Sequence, residues 1–409
     1  TTGYENCAFG RGSLESNTTA YQNSAFGDQT LGLNTTGTGN VAVGDKALRW
    51  NTTANYNTAV GKLALGANTT GAENVAVGAY ALDANTTASY NTAVGKGALE
   101  DNTTGTRNTA VGSAALDALT TENDNTAIGY AALSSEVSGF RNTAVGSGSG
   151  ANQNGGTNNT LLGYNAGSDI STGDANTFIG SDCGDANTTA SNNTAVGQAA
   201  LGANTTGTTN VAVGTSALTA NTTASNNTGI GYNALAVNTT GAQNTAVGRL
   251  ALDASTTAND NTAIGNASMT ATTTGYDNTS VGSGSMRNNT TGSLNTAFGR
   301  DALQANTTAD TNNAFGRRAL YSNTTGSDNV ALGYLTLYLN TTGRYNTAVG
   351  NSALQSNTTG DTNTAVGFGS MNLNTTGYDN TAVGRNTLDA NTTGYANIAV
   401  GESALTSNT

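Results

Sequence analysis

An all-β fold, a parallel β-solenoid (β-roll or β-helix) of 24 coils with 17 residues per coil, is what this sequence predicts. Three observations carry the prediction. Asn recurs every 17 residues from Asn6 to Asn397, 24 times without a gap, and Gly follows four residues later each time, from Gly10 to Gly401. The apolar runs are only two to four residues long and are separated by Asn- and Gly-rich turns, which suits short strands and not helices. A 17-residue unit cannot bury its own apolar side chains, whereas stacked copies can.

With the invariant Asn as position one, the consensus is N-T-A-V-G-x-x-A-L-x-x-N-T-T-G-x-x; residues 346–362, NTAVGNSALQSNTTGDT, are a clean copy. The N-T-A-V segment predicts a strand, since Thr and Val favour pleated structure. Gly at position five marks a backbone with positive φ or one that passes close to another backbone. Position eight is small, and position nine is Leu in 18 coils, Met in three (Met269, Met286, Met371) and Gly in three. Positions six, seven, ten, eleven, sixteen and seventeen vary. They carry all 14 Lys and Arg and all but two of the 26 acidic residues, so they are read as solvent-facing corners. Coils stack at about 4.8 Å, so 24 of them predict a rod of roughly 115 Å.

Departures from the consensus are informative. Position three is almost always Ala, but it is Leu161 and Phe178 in two successive coils, where position nine becomes Gly167 and Gly184. Exchanging a large residue for a small one at two sites is volume conservation in a packed core, so positions three and nine are expected to share space. Gly150 departs from the rule, because its coil keeps Ala144. Side chains alternate along a strand, so if position three faces the core, position four faces away. Yet position four is Val, Ile, Leu or Phe in every coil. A strand apolar on both faces is expected to be buried on both, with the second face, whichever of the two it is, covered by another copy of the chain; the alternative is a monomer whose coil is a wide, two-layered turn.

The N-T-A-V-G motif resembles the N-S-V-A-I-G-type motif of trimeric autotransporter adhesin heads (YadA-like β-rolls), and the fuller repeat is similar to repeats of bacterial and phage tail-fibre-like surface proteins. The period of 17 is longer than that of the adhesin heads. What the resemblance implies is a homotrimer, an extracellular location (secreted, cell surface or virion) and a role in attachment or as a fibre.

The expected function is therefore an extracellular, self-assembling, non-catalytic structural fibre or stalk. The alternative is an adhesin or tail fibre that binds a cell-surface glycan or receptor. Ice binding is the lesser reading, because of the adjacent Thr at positions thirteen and fourteen only one can face outward. An enzyme is not expected: His is absent, so the usual general base is missing, and the acids form no repeated pair. No cofactor or metal is expected, since neither the Gly-Asp nonapeptide of calcium-binding β-rolls nor an acidic ladder is present. A formal net charge of −12 argues against nucleic acid, and no apolar run is long enough for a membrane span. Cys7 and Cys183 lie ten coils apart, beyond reach of a disulfide, and are read as buried free thiols, with an interchain disulfide near an axis as the minor alternative.

Position twelve is Asn in 18 of 24 coils, and in 17 of them Thr-Thr follows: Asn17, Asn34, Asn51, Asn68, Asn85, Asn102, Asn187, Asn204, Asn221, Asn238, Asn289, Asn306, Asn323, Asn340, Asn357, Asn374 and Asn391. These are N-glycosylation sequons. Stacked as a column they could equally form a hydrogen-bonded amide ladder, the favoured reading because glycans about 4.8 Å apart would crowd. The motif lapses in succession at Leu119, Glu136, Gln153 and Ile170, which defines an irregular stretch, 119–184, within a single repeat domain, 1–409. Glu122 and Glu136, the two acids off the corner positions, are read there as solvated substitutions. The fifteen Tyr lie on corners, for example Tyr56, Tyr90, Tyr276 and Tyr378, as scattered surface residues. The sequence starts and stops in mid-coil and shows no cap at either end, so it is expected to be a window of a longer solenoid or a subunit that joins coaxially.

Overall fold

The computed structural model describes residues 2–408. It is an all-β parallel β-solenoid of about 23 turns with about 17 residues each, built from 24 three-residue strands numbered in chain order from β1 (Cys7–Phe9) to β24 (Ile398–Val400). Contacts cluster into two compact units, Thr1–Thr208 and Thr209–Thr409. The first holds β1 to β12 (Thr194–Val196) and the second β13 (Val211–Val213) to β24. Within each unit every strand pairs in parallel with the next, one repeat apart. In the second unit, β16 (Thr262–Ile264) sets Thr262, Ala263 and Ile264 against Thr279, Ser280 and Val281 of β17 (Thr279–Val281).

Residues 346–362 show how each position is used. Thr347 donates its backbone N–H to Asn363 in the next coil at 2.8 Å, and Gly350 donates to Leu332 in the previous one at 2.8 Å. The axial pairing continues past the strand: Ser352 N–H reaches Tyr334 (2.9 Å), Leu354 reaches Ser370 (2.9 Å), Ser356 reaches Asn372 (3.0 Å) and Thr358 reaches Thr375 (2.8 Å). Even the non-strand corners are thus laddered, which satisfies main-chain groups that would otherwise be costly to bury.

Gly at position five answers to both reasons the sequence offered. Gly350 sits at φ +127°, and a Cβ there would lie 2.5 Å from the Gly367 carbonyl oxygen. Three further positions take left-handed backbone with ordinary side chains, here Ser352 (φ 58°), Leu354 (φ 48°) and Thr362 (φ 54°). Such a conformation costs an L-residue about 1–2 kcal/mol. It is held because it turns each N–H along the axis onto a neighbouring coil.

The core is narrow. The middle residue of every strand from β2 (Ser24–Phe26) onward is buried, whereas the third, position four, is half-buried or exposed. Position three therefore faces the core together with positions eight, nine and twelve. The alternative arrangement, position four inside and positions three and nine meeting across chains, does not occur.

Strand pairing runs in register through the irregular stretch, from β8 (Thr126–Ile128) to β12. There the volume exchange is visible. A Cβ on Gly184 would fall 2.5 Å from the Phe178 ring, and one on Gly167 would fall 2.8 Å from Leu161 Cδ2 and 3.1 Å from Phe178 Cδ2. Gly150 obeys the same logic across coils: its space is taken by Leu133 from one side and Leu161 from the other, each at 2.8 Å. Glu136 corrects the sequence reading, because it is fully buried. Its Oε1 accepts the backbone N–H groups of Ser138, Gly139 and Gly155, so the carboxylate is held by main chain in place of water. Glu122 is half-buried, with Thr121 Oγ donating to its carboxylate at 3.3 Å.

Phe178→Ala should destabilise the first unit by about 3–5 kcal/mol through cavity formation. Adding Gly184→Leu should recover most of that loss, since Leu holds the same left-handed position in most other coils. Denaturant unfolding of both variants checks this; strictly additive losses would show that the two sites do not share space.

Candidate functional site

Two columns of side chains point out of each unit from the strands: position two, mostly Thr, and position four, always apolar. Their direction follows from the strand pleat once position three is inside. Val43 is 37% exposed, Ile264 40% and Leu332 48%. Phe298 and Phe315, one coil apart, stack at 5.6 Å. This stripe is a regular apolar feature outside the core. Cys7, at position two in the neighbouring column, is exposed, not buried as the sequence reading had it.

The sequon column lies inside the coil. All 17 of its Asn donate Nδ2 to the position-fifteen carbonyl of their own coil. Many also donate to the Asn Oδ1 one coil away, as Asn357 does to Asn340 at 2.8 Å. All are buried except Asn17, which is half-buried. The nitrogen that a glycan would need is therefore engaged in the folded chain. Where the column lapses, Gln153 still reaches the Gly156 carbonyl at 2.9 Å, while Leu119 and Ile170 fill the space with hydrocarbon.

A second ladder, at position one, escaped the sequence reading. Asn346 Nδ2 donates to the Gly360 carbonyl at 2.9 Å, the same oxygen that receives Asn357 at 2.9 Å. Asn346 N–H also donates to Asn329 Oδ1 at 3.0 Å. The invariance of this Asn was a signal; its partner, fourteen residues on in the same coil, was not legible from spacing.

Corner charges pair across coils. Arg11 meets Asp28 at 2.9 Å and Arg107 meets Asp124 at 2.6 Å, and these bonds hold both carboxyls below their usual range. Burial pushes Asp83, Asp117, Asp185 and Asp253, all at position ten, the other way. Some corner Tyr also pair: Tyr4 with Tyr21 at 4.9 Å, Tyr378 with Tyr395 at 5.0 Å. At the N-T-T corner, Thr358 is half-buried and donates Oγ to Thr375, while Thr359 is exposed. Among the described residues no cluster of His, Cys, Asp or Glu could hold a metal ion, and no helix is long and apolar enough to cross a membrane. No family model matches the chain, and no curated protein matches it.

The two thiols should behave differently. Cys183 is buried, donates Sγ–H to the Ala195 carbonyl at 3.3 Å, and burial pushes its pKa up to about 12. A maleimide or disulfide reagent at neutral pH should modify Cys7 in the native subunit and Cys183 only after unfolding, as mass spectrometry would show; native labelling of Cys183 would contradict its place in the core.

The position-ten carboxyls predict a pH effect of definite sign. Their folded pKa lies above the ordinary 3.8, so their contribution is complete below about that pH and is lost as pH rises through the folded value. Asp117→Asn with Asp253→Asn should raise the melting temperature at pH 7, with the gain vanishing near pH 3. A gain independent of pH would point away from ionisation.

Proposed function

We propose that the chain is an extracellular, non-catalytic structural fibre or stalk whose copies associate through the outward strand face, with a trimer as the arrangement that the motif's resemblance implies. One observation carries the reading: position four is apolar in every coil, yet it faces away from the chain's own core. A residue free to face water would drift to polar types, as the corner positions of the same coils do.

Twelve strands at about 4.8 Å spacing, with two outward columns about 6.6 Å apart, give a strip of roughly 380 Å² between column centres on each unit. It is a continuous strip with apolar side chains along one whole edge, regular enough for a second copy of the same repeat to meet it coil by coil. The laddered coil suits a load-bearing spacer, since pulling along the axis opposes main-chain and amide hydrogen bonds in every coil. The receptor-binding alternative draws on the stacked corner Tyr, which offer exposed aromatic surface.

Sedimentation of the native protein should show a multichain species. Val247→Lys with Val281→Lys, both on the outward face, should shift it toward monomer by about 1–3 kcal/mol per site while leaving circular dichroism unchanged. A wild-type chain that remains a soluble monomer at high concentration would overturn the proposal.

A further inference from the structure

Asn is abundant in this chain, but Gly follows it once, at Asn154–Gly155 in the irregular stretch. Elsewhere the residue after Asn carries a side chain, most often Thr. The step occupies positions thirteen and fourteen, which in regular coils are Thr-Thr with the second N–H donated to the next coil, as Thr359 donates to Thr375 at 3.3 Å. Gly155 instead donates its N–H to Glu136 Oε1, in the coil before, at 2.9 Å.

The surroundings of that bond are unusual. Glu136 is fully buried, and its second oxygen, Oε2, has no hydrogen-bond partner. Gly155 has φ +106°, and a Cβ there would meet Ser138 Oγ at 3.1 Å, so the nitrogen lies unshielded by a side chain. Asn154 is exposed and Gly155 half-buried, so water reaches the step while the carboxylate stays fixed.

We propose that this constellation is a self-modification site, at which Glu136 serves as general base for cyclisation of Asn154. The Gly155 nitrogen attacks Asn154 Cγ, and its proton passes to Glu136. A nitrogen–carbon bond forms, the Cγ–Nδ2 bond breaks, and the proton leaves with the amide nitrogen as ammonia. Water then opens the resulting succinimide at either carbonyl to give aspartate or isoaspartate. The sum is amide plus water to acid plus ammonia, with no redox change. The product adds a negative charge beside Glu136 and, as isoaspartate, one extra main-chain carbon where Asn154 N–H pairs with Ser171 at 2.9 Å. It is a slow, irreversible marker of age at one coil of the first unit.

The test is peptide mapping of intact protein incubated at neutral pH, folded and in urea, with ammonia release measured in parallel. A base within hydrogen-bond reach contributes about 10²–10⁴-fold. Folded wild-type chain should therefore convert Asn154 selectively and faster than the unfolded chain. Glu136→Gln should lower the folded rate about tenfold or more and leave the rate in urea unchanged, which separates loss of the base from any change in the peptide. Gly155→Ala, whose Cβ hinders the attacking nitrogen, should slow conversion in both states. A folded rate below the unfolded rate, or a folded Glu136→Gln protein as fast as wild type, would overturn the assignment.

Discussion

The carbonyl at position fifteen is the point on which the coil closes. In each regular repeat it receives two side-chain amides, one from the Asn that opens the strand and one from the Asn three residues before it. A coil this short has no room for a hydrocarbon centre of ordinary width. Its interior combines Ala and Leu with the paired Asn amides. Each buried amide must be paired, because an unpaired buried donor costs about 1–3 kcal/mol. The pairing is achieved by sharing one oxygen within the coil and by passing Oδ1 to the next coil along the axis. Axial repetition and cross-sectional closure are thus served by the same side chains.

The same narrowness dictates what faces outward. With Ala at position three and Leu at position nine filling the apolar half, Val at position four has no place inside. The apolar stripe on the strand face is therefore a consequence of how little the coil can hold, together with a sequence that keeps the stripe apolar. The irregular stretch shows the limits of the core's tolerance. It accepts Phe178 by emptying Gly184, and it accepts a carboxylate at Glu136 by turning three main-chain N–H groups onto it.

Much of this was legible in the residues because a fixed period converts spacing directly into contact. The Asn and Gly columns predicted the stacking, and the Leu161/Gly167 and Phe178/Gly184 exchanges predicted a shared core volume. What stayed hidden depended on backbone conformation or on direction. Nothing in a Leu at position nine announces φ near 50°, since that residue type disfavours it. Glu136 looked like a surface acid because its partners are main-chain groups, which every residue has. The exposure of Cys7 and the stacking of Tyr378 on Tyr395 likewise required knowing which way each column points.

The position-one amide is central to this closure, and one substitution tests its role. Asn346→Ala removes a donor to the Gly360 carbonyl and an acceptor for the Asn363 N–H, both buried. Guanidinium unfolding should then show a loss of about 2–6 kcal/mol, the sum of two broken buried pairings at about 1–3 kcal/mol each. A loss within about 0.5 kcal/mol, the range of ordinary surface substitutions, would mean that the amide columns accompany the solenoid without holding it together.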